Sequence, residues 1–155
     1  MGNSRLNLNL SGFEKMIANL DLASRDIDRA ANSAIKESAK VVETELKSEA
    51  ASKGVPSDII QEIKTSTKHE SDNYSAKVGW ELESYDPRNP SAGYKAIFLN
   101  FGTVRRQTKA GKNRGEIPKR TQEQQFIYSA KKKARTKVRK VQKGVLEQIM
   151  RDLDR

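Results

Sequence analysis

Two long stretches of the sequence place apolar or small residues at the spacing of an α-helix, and they constrain the fold more than any other feature. The first runs from about residue 25 to 52 and the second from about 121 to 153. A helix with one apolar stripe packs that stripe against a core and exposes its other faces. The stripes consist of Ile27, Ala31, Ala34, Ile35, Val42 and Leu46 in the first stretch and of Phe126, Ile127, Ala130, Ala134, Val138, Val141, Val145, Ile149 and Leu153 in the second. We therefore expect one long helix in each half of the chain.

The sequence between these stretches carries strand patterns. Residues 60–69 are rich in β-branched types, and apolar residues alternate with polar ones across 73–82, so we expect a hairpin. Residues 5–10 alternate Leu with Asn, which predicts a short strand that joins this sheet or a neighbouring subunit. Residues 94–101 form the most apolar segment, and periodicity alone does not decide between a strand and a short helix.

Local signals complete the predicted secondary structure. Apolar residues at helical spacing follow the first strand and predict a short helix there; they are Phe13, Met16, Ile17 and Leu20. Gly54 and Pro56 predict the end of the first long helix, because Gly suits the position after a helix and Pro cannot continue one. Gly144 lies inside the second long helix, where it marks a bend or a close contact with a neighbouring segment.

These patterns predict an α+β fold in which a small antiparallel sheet is packed by a long N-terminal helix and a long C-terminal helix. The length of 155 residues suits a single domain spanning 1–155. Residues 94–101 are a possible third strand. The predicted core consists of Phe13, Ile17, Leu20, Ile35, Val42, Leu46, Val78, Trp80, Phe98, Phe101, Phe126 and Val141.

The residue inventory argues against an enzyme. The chain contains no Cys and a single His, His69, which excludes cysteine nucleophiles, zinc ribbons and imidazole triads. Glu81 and Glu83 are two residues apart, but they follow a core strand where solvated residues are expected. We predict no catalytic residue, no cofactor site and no metal site. No apolar run is long enough to cross a bilayer, so no membrane contact is expected.

The positive charge of the chain is concentrated in one region. Residues 104–143 hold fifteen Lys and Arg against two acids, a net charge of +13, whereas the remainder holds fifteen against eighteen, a net charge of −3. Residues 104–121 carry no hydrophobic pattern and are expected to be an exposed basic loop. Its cations, which we call the basic arm, are Arg105, Arg106, Lys109, Lys112, Arg114, Lys119 and Arg120.

Two kinds of partner suit the basic arm. Clustered cations bind nucleic-acid phosphates in a salt-sensitive way, and they also dock on acidic protein surfaces. The arm lacks the interleaved aromatic residues of a single-strand binding platform. The basic run 131–140 can also be the solvated face of an amphipathic helix whose other face carries Ala134, Val138 and Val141. The residues alone leave nucleic acid and acidic protein equally supported.

The order of elements resembles a known family. The segment from Tyr94 to Thr103 reads Tyr-Lys-Ala-Ile-Phe-Leu-Asn-Phe-Gly-Thr, and Phe126 opens the last helix within Gln-Phe-Ile-Tyr-Ser-Ala. Together with helices before a hairpin, these motifs resemble the tail-completion, or minor tail (neck, head–tail joining), proteins of long-tailed bacteriophages. The resemblance spans roughly 12–153, with Asn100 standing where the family usually carries an acid.

The resemblance implies a structural virion protein that completes the head-proximal end of the tail. It implies a homo-oligomer, at the family level a hexameric ring, that assembles in the bacterial cytoplasm, contacts the connector and tail-tube proteins, and has DNA as a possible partner in its channel. The family motif assigns a structural role to Tyr94, Phe101, Gly102, Thr103 and Phe126. We favour an acidic protein over DNA as the partner of the basic arm, because dense cations along a channel would retain passing phosphates. The alternative is a small basic nucleic-acid-binding protein.

Overall fold

The computed structural model of the protein describes residues 6–9, 24–70, 73–82, 85–102, 119 and 121–153. In chain order the elements are β1 (Leu6–Asn9), α1 (Ser24–Ser52), α2 (Ser57–Gln61), β2 (Lys64–Glu70), β3 (Asn73–Gly79), α3 (Ala92–Phe101), a 3-10 turn (Gln122–Gln124) and α4 (Phe126–Leu153). Helix α1 packs on a small antiparallel sheet and α4 packs on α1, so the predicted α+β class is confirmed.

The sheet has three strands in the order β1-β3-β2, and both pairings are antiparallel. Val78 of β3 lies opposite Leu6 on one side and Thr65 on the other. The predicted hairpin is confirmed, but β2 begins at Lys64 because the residues before it form α2. The N-terminal strand pairs within its own chain, which decides between the two predicted placements.

The segment 94–101 is helical, so its possible assignment as a third strand was wrong. The helix buries Gly93, Ala96 and Asn100, which share one side at helical spacing. A segment that is apolar on nearly every side carries neither a clear period of two nor a clear amphipathic helix pattern. Its neighbours in space therefore decide its conformation.

The two long helices pack antiparallel through small side chains. Ala34 and Ala39 of α1 and Ala130 of α4 are fully buried. Lys133 forms an ion pair with Glu49, and Lys137 forms one with Glu45. Residue numbers therefore rise along α4 in the direction in which they fall along α1. Small residues at such an interface let the two backbones approach closely, and the predicted apolar stripes of both helices are confirmed where the structure describes their side chains.

The end of α1 is a Schellman motif. Gly54 has a φ of 73°, its N–H donates to the carbonyl of Ala51, and the N–H of Val55 donates to the carbonyl of Ala50. Val55 is buried and packs into the core, and Pro56 then precedes α2. The predicted stop at this glycine is confirmed.

Most of the predicted core residues that the structure describes are buried. Val141 and Phe98 are half-buried, and Phe101 is 46% exposed, so its assignment to the core was wrong. Gly144 is exposed with open space around it, which leaves no close contact at that position. The confirmed members are Ile35, Val42, Leu46, Val78, Trp80 and Phe126, while Phe13, Ile17 and Leu20 lie outside the described residues.

Candidate interaction surfaces

Helix α3 turns its small residues inward and its large apolar residues outward. A Cβ on Gly93 would lie 2.7 Å from the carbonyl oxygen of Glu81 and 2.8 Å from Cδ2 of Leu82. The helix therefore lies directly on the backbone that leaves β3, at a distance that only glycine permits. This close packing places the remaining sides of α3 near the protein surface.

The surface side of α3 carries four large apolar residues at helical spacing. Tyr94, Ile97 and Phe98 are half-buried, and Phe101 is 46% exposed. Their i, i+3, i+4 and i+7 spacing puts them on one face, which we call the outer face of α3. Tyr85, itself 42% exposed, packs edge-on against Tyr94 and Phe98, with ring centroids 4.9 Å and 6.4 Å away. The result is a partly exposed aromatic cluster.

A hydrogen bond to a buried side chain holds α3 against the start of α4, and aromatic contacts hold the start of α4 against the residue that follows β3. The Oδ1 atom of Asn100 accepts a hydrogen bond from the backbone N–H of Ile127 at 3.0 Å. Phe126 is fully buried and meets Trp80 edge-on with centroids 6.0 Å apart. The indole N–H of Trp80 donates to the carbonyl of Ile59 at 2.6 Å. The outer face of α3 is thus carried on a well-anchored element.

Helix α4 exposes a second kind of surface. Its segment 131–143 contains eight Lys and Arg and no acid. Ala134 and Val138 from the same segment are buried, as expected for an amphipathic helix. The exposed cations of this segment that pair with no carboxylate in the described part of the chain form what we call the basic face of α4; they are Lys131, Lys132, Arg135, Arg139 and Lys140.

Two lysines of α4 differ from that face because α1 neutralises them. The side chains of Glu49 and Glu45 are almost fully buried, and they accept hydrogen bonds from Lys133 and Lys137 respectively. The hydrogen bond from Lys133 to Glu49, together with the attraction between their charges, raises the pKa of Lys133. These pairs tie α4 to α1 and cancel two positive charges.

The family of the chain follows from a direct match. The profile of the HK97-gp10-like family, described as a bacteriophage HK97-gp10 tail component, matches residues 14–102, which is more than half of the chain. The chain belongs to this family. It is therefore a phage tail component, a structural protein of the virion, and the predicted tail-related family is confirmed. No curated protein and no solved structure matches the chain.

The part shared with the HK97-gp10-like family contains α1, the β2–β3 hairpin and α3, and it ends at Gly102. Gly102 follows α3 with a φ of 85°, and its N–H donates to the carbonyl of Phe98 at 2.8 Å. A φ in this range favours glycine, so Gly102 is suited to end the helix. The outer face of α3 lies within the shared part, whereas α4 lies beyond it.

The structure describes only part of the predicted basic arm. Lys119 is exposed, and Thr103 of the family motif lies outside the described residues. Tyr94 and Phe101 are on the outer face of α3, and Phe126 is in the core, where it opens α4. The other arm residues also lie outside the described part; they are Arg105, Arg106, Lys109, Lys112, Arg114 and Arg120.

The described residues offer no evident site for small-molecule chemistry. A cleft of about 460 Å³ lies between the end of β3 and the start of α3, and Glu81, Asp86, Lys64 and Lys95 line it with mixed charge. Within the described ranges no three His, Asp or Glu side chains gather as metal ligands, and no described helix is long and apolar enough to cross a bilayer.

The main feature that sequence reasoning missed is the outward direction of the α3 aromatic residues. The spacing of Tyr94, Ile97, Phe98 and Phe101 was visible as a stripe, but a stripe in a globular domain is normally assigned to the core. The small residues Gly93 and Ala96 on the opposite side were the available signal. Such residues indicate where a helix approaches a neighbouring backbone.

Proposed function

We propose that this protein completes the head-proximal end of a phage tail and supports the joining of head and tail. In this proposal identical subunits form a ring, six of them by the expectation for the family, and the ring contacts connector and tail-tube proteins. Membership of the HK97-gp10-like family supports a place in the tail. The position at the neck and the ring are the proposed additions, and the protein needs no catalytic residue for this role.

The observation that carries the proposal is the outer face of α3. Aromatic side chains are enriched in protein interfaces, and a contiguous exposed apolar patch marks a surface that another molecule covers. Phe101 is 46% exposed although it ends a helix whose other side is fully buried. We propose that a neighbouring tail subunit covers Phe101 together with Tyr85 and the rest of this face.

The basic arm has a separate role in this proposal. It contacts acidic protein in the connector or a neighbouring subunit, which favours the docking of head and tail through complementary charge. Glu116 is the only acid within 104–121, so the segment has a strong positive charge at neutral pH. The outer face of α3 then supports the ring, and the arm supports the contact between ring and head.

A phage carrying a null allele of this gene tests the function. We expect electron micrographs of the lysate to show filled heads beside unattached tails, and joining to return when purified protein is added. Infectious particles with normal tails in the null lysate would overturn the proposal. Empty heads would also overturn it, because they would indicate a role in DNA packaging.

Complementation with single variants tests the outer face of α3. Phe101→Ser removes an exposed ring at that face, whereas Met150→Ser removes a side chain of similar exposure, 42%, from α4. We expect Phe101→Ser to lower joining strongly while Met150→Ser restores it like the wild type. Equal activity of the two variants would contradict the assignment of this face.

The arm is tested with Arg105, Arg106, Lys112 and Arg114 changed together to Gln. We expect this variant to form the same oligomer as the wild type in sedimentation velocity but to fail in joining heads to tails. Normal joining by this variant would show that the arm does not provide the docking contact.

A further inference from the structure

We infer that the basic face of α4 is a binding surface for the phosphate backbone of double-stranded DNA. This surface is distinct from the basic arm, and the inference does not depend on the position of the protein in the tail. The face presents Lys131, Lys132, Arg135, Arg139 and Lys140 along one helix. All five side chains are exposed, and the helix that carries them is anchored on its opposite side by the core.

A comparison of the two long helices argues against simple solvation as the explanation. Helix α1 has nearly the same length as α4, 29 against 28 residues, and its exposed charges include both signs. A mixed surface keeps a helix solvated and also avoids self-repulsion. The solvent-accessible charged residues described on α1 are Asp28, Arg29, Lys36, Glu37, Lys40, Glu43 and Lys47. Solvation therefore does not account for the single sign of the charges in segment 131–143 of α4, beyond which Glu147 is the exposed acid among the described side chains of the helix.

Carboxylates of the protein also neutralise only some of the cations on α4. The chain supplies buried carboxylates to Lys133 and Lys137, where α4 meets α1. Among the described residues no carboxylate pairs with the five cations of the basic face, and the segment 131–143 contains no acid of its own; Lys143, at the end of that segment, pairs with Glu147. Like charges at i, i+4 spacing, such as Arg135 and Arg139, cost helix stability unless a partner compensates for them. A polyanion that covers this face would provide that compensation.

The spacing suits a duplex backbone. Successive cations at i, i+4 spacing rise by about 6 Å along a helix. A DNA strand carries one phosphate per about 3.4 Å of axis, so long flexible side chains at this interval reach about every second phosphate. Lys131, Arg135 and Arg139 form one such row, and Lys132 and Lys140 lie beside it. A rigid row of this kind can follow one strand across several nucleotides.

The composition of the face favours DNA over other acidic partners. Protein interfaces are enriched in aromatic residues and Met at their centres and are depleted in Lys. The five residues of the face are all Lys or Arg, and the only exposed large apolar residues on the described side chains of α4, Tyr128 and Met150, lie near its two ends. Single-stranded DNA would need aromatic rings between the cations for base stacking. A duplex needs phosphate contacts alone.

Fluorescence anisotropy with a labelled duplex of random sequence tests the inference on the full-length protein. The test variant changes Lys132, Arg135 and Arg139 to Gln. The matched control changes Lys36, Lys40 and Lys53 to Gln, which removes the same charge from exposed positions outside α4. Circular dichroism first establishes that both variants keep the helical content of the wild type.

We expect duplex binding by the wild type with an affinity that falls steeply between about 50 and 200 mM salt. Loss of three phosphate contacts should make the slope of log K against log salt shallower by about 2.7 and weaken binding about a hundredfold near 0.1 M salt. The control should keep the slope of the wild type and lose much less affinity. Retention of slope and affinity by the α4 variant would overturn the inference, as would equal losses in the two variants.

Two further measurements separate this inference from neighbouring possibilities. The arm variant, with Arg105, Arg106, Lys112 and Arg114 changed to Gln, should keep most of its affinity for the duplex. If it abolishes binding while the α4 variant does not, the DNA site is the arm and the inference is wrong. Polyglutamate that displaces the duplex at equal charge concentration would point to an acidic protein as the partner and would also overturn it.

Discussion

The side chain of Asn100 caps a helix to which it does not belong. Its Oδ1 atom accepts a hydrogen bond from the backbone N–H of Ile127 at 3.0 Å, so the end of α3 holds the first turn of α4. Asn100 is fully buried, and its side-chain nitrogen has no hydrogen-bond partner. The amide oxygen is therefore hydrogen-bonded, while the buried amide nitrogen without a partner lowers the stability of the fold.

Substitutions of Asn100 should separate the contribution of its amide oxygen from the cost of its unpaired amide nitrogen. Asn100→Leu keeps the number and branching of the side-chain heavy atoms, with two larger methyl groups, but removes the acceptor, so we expect the free energy of unfolding to fall by about 1–3 kcal/mol. Asn100→Asp keeps the acceptor and removes the unpaired donor at a helix N-terminus that favours negative charge, so it should stay closer to the wild type. Urea denaturation measures both, and a Leu variant as stable as the wild type would show that the cap contributes little.

Gly93 should tolerate no side chain. Because a Cβ there would lie 2.7 Å from the backbone oxygen of Glu81, Gly93→Ala must push α3 away from the end of β3. We expect a loss of about 1–3 kcal/mol in unfolding free energy, the usual range for overpacking. Thermal unfolding followed by circular dichroism provides the measurement. An unchanged melting temperature would mean that α3 shifts freely, contrary to its close packing on the backbone that follows β3.

Gly144 should behave in the opposite way. It lies inside α4, is exposed, and has nothing within 4 Å of a Cβ built on it. Gly144→Ala should therefore raise the unfolding free energy by up to about 1 kcal/mol through helix propensity alone. The same urea titration compares it with Gly93→Ala. A destabilised Gly144→Ala would contradict the open space around this position.

The two lysines paired to α1 should matter more for stability than their exposed neighbours. Lys133→Gln with Lys137→Gln leaves the carboxylates of Glu49 and Glu45, whose side chains are 8% and 12% exposed, without their partners. Lys131→Gln with Lys132→Gln removes equal charge and leaves no carboxylate unpaired among the described residues. We expect a lower melting temperature for the first pair only, because a buried charge without a partner is costly. Equal melting temperatures would show that water solvates both carboxylates.

Glu43 should make stability depend on acid pH. Hydrogen bonds from Lys47 and Thr65 lower the pKa of Glu43 below its ordinary value of 4.5. A carboxyl with a lower pKa in the folded state stabilises the fold above pH 4.5, and this contribution is lost as the pH falls through the folded pKa. Glu43→Gln should thus be less stable than the wild type at neutral pH, and the gap should close at about pH 3. A gap that stays constant across this range would contradict the assignment.

Sequence patterns predicted the elements that carry a strong period. The stripes of α1 and α4, the alternation in β3 and the glycine that ends α1 each act locally, so these elements were predicted correctly, although α4 begins at Phe126, later than about 121, and β3 ends at Gly79. The segment that became α3 was ambiguous because nearly all of its sides are apolar. The burial of Glu45, Glu49 and Asn100 was not predicted either. Polar residues are buried where a specific partner binds them, and a partner that is distant in the sequence is not visible in a local pattern.

The sequence by itself determined that this chain has two amphipathic helices around a small sheet, no evident catalytic inventory, and a positive charge concentrated after residue 103. Period, residue inventory and charge are properties of the chain, and they hold whatever the chain packs against. Only the tertiary structure decided that Phe101 faces outward while Gly93 faces inward, and that the cations of α4 divide into a paired row and a basic face. The reason is physical: the direction of a side chain depends on which neighbouring element approaches most closely, and that neighbour is distant in the sequence.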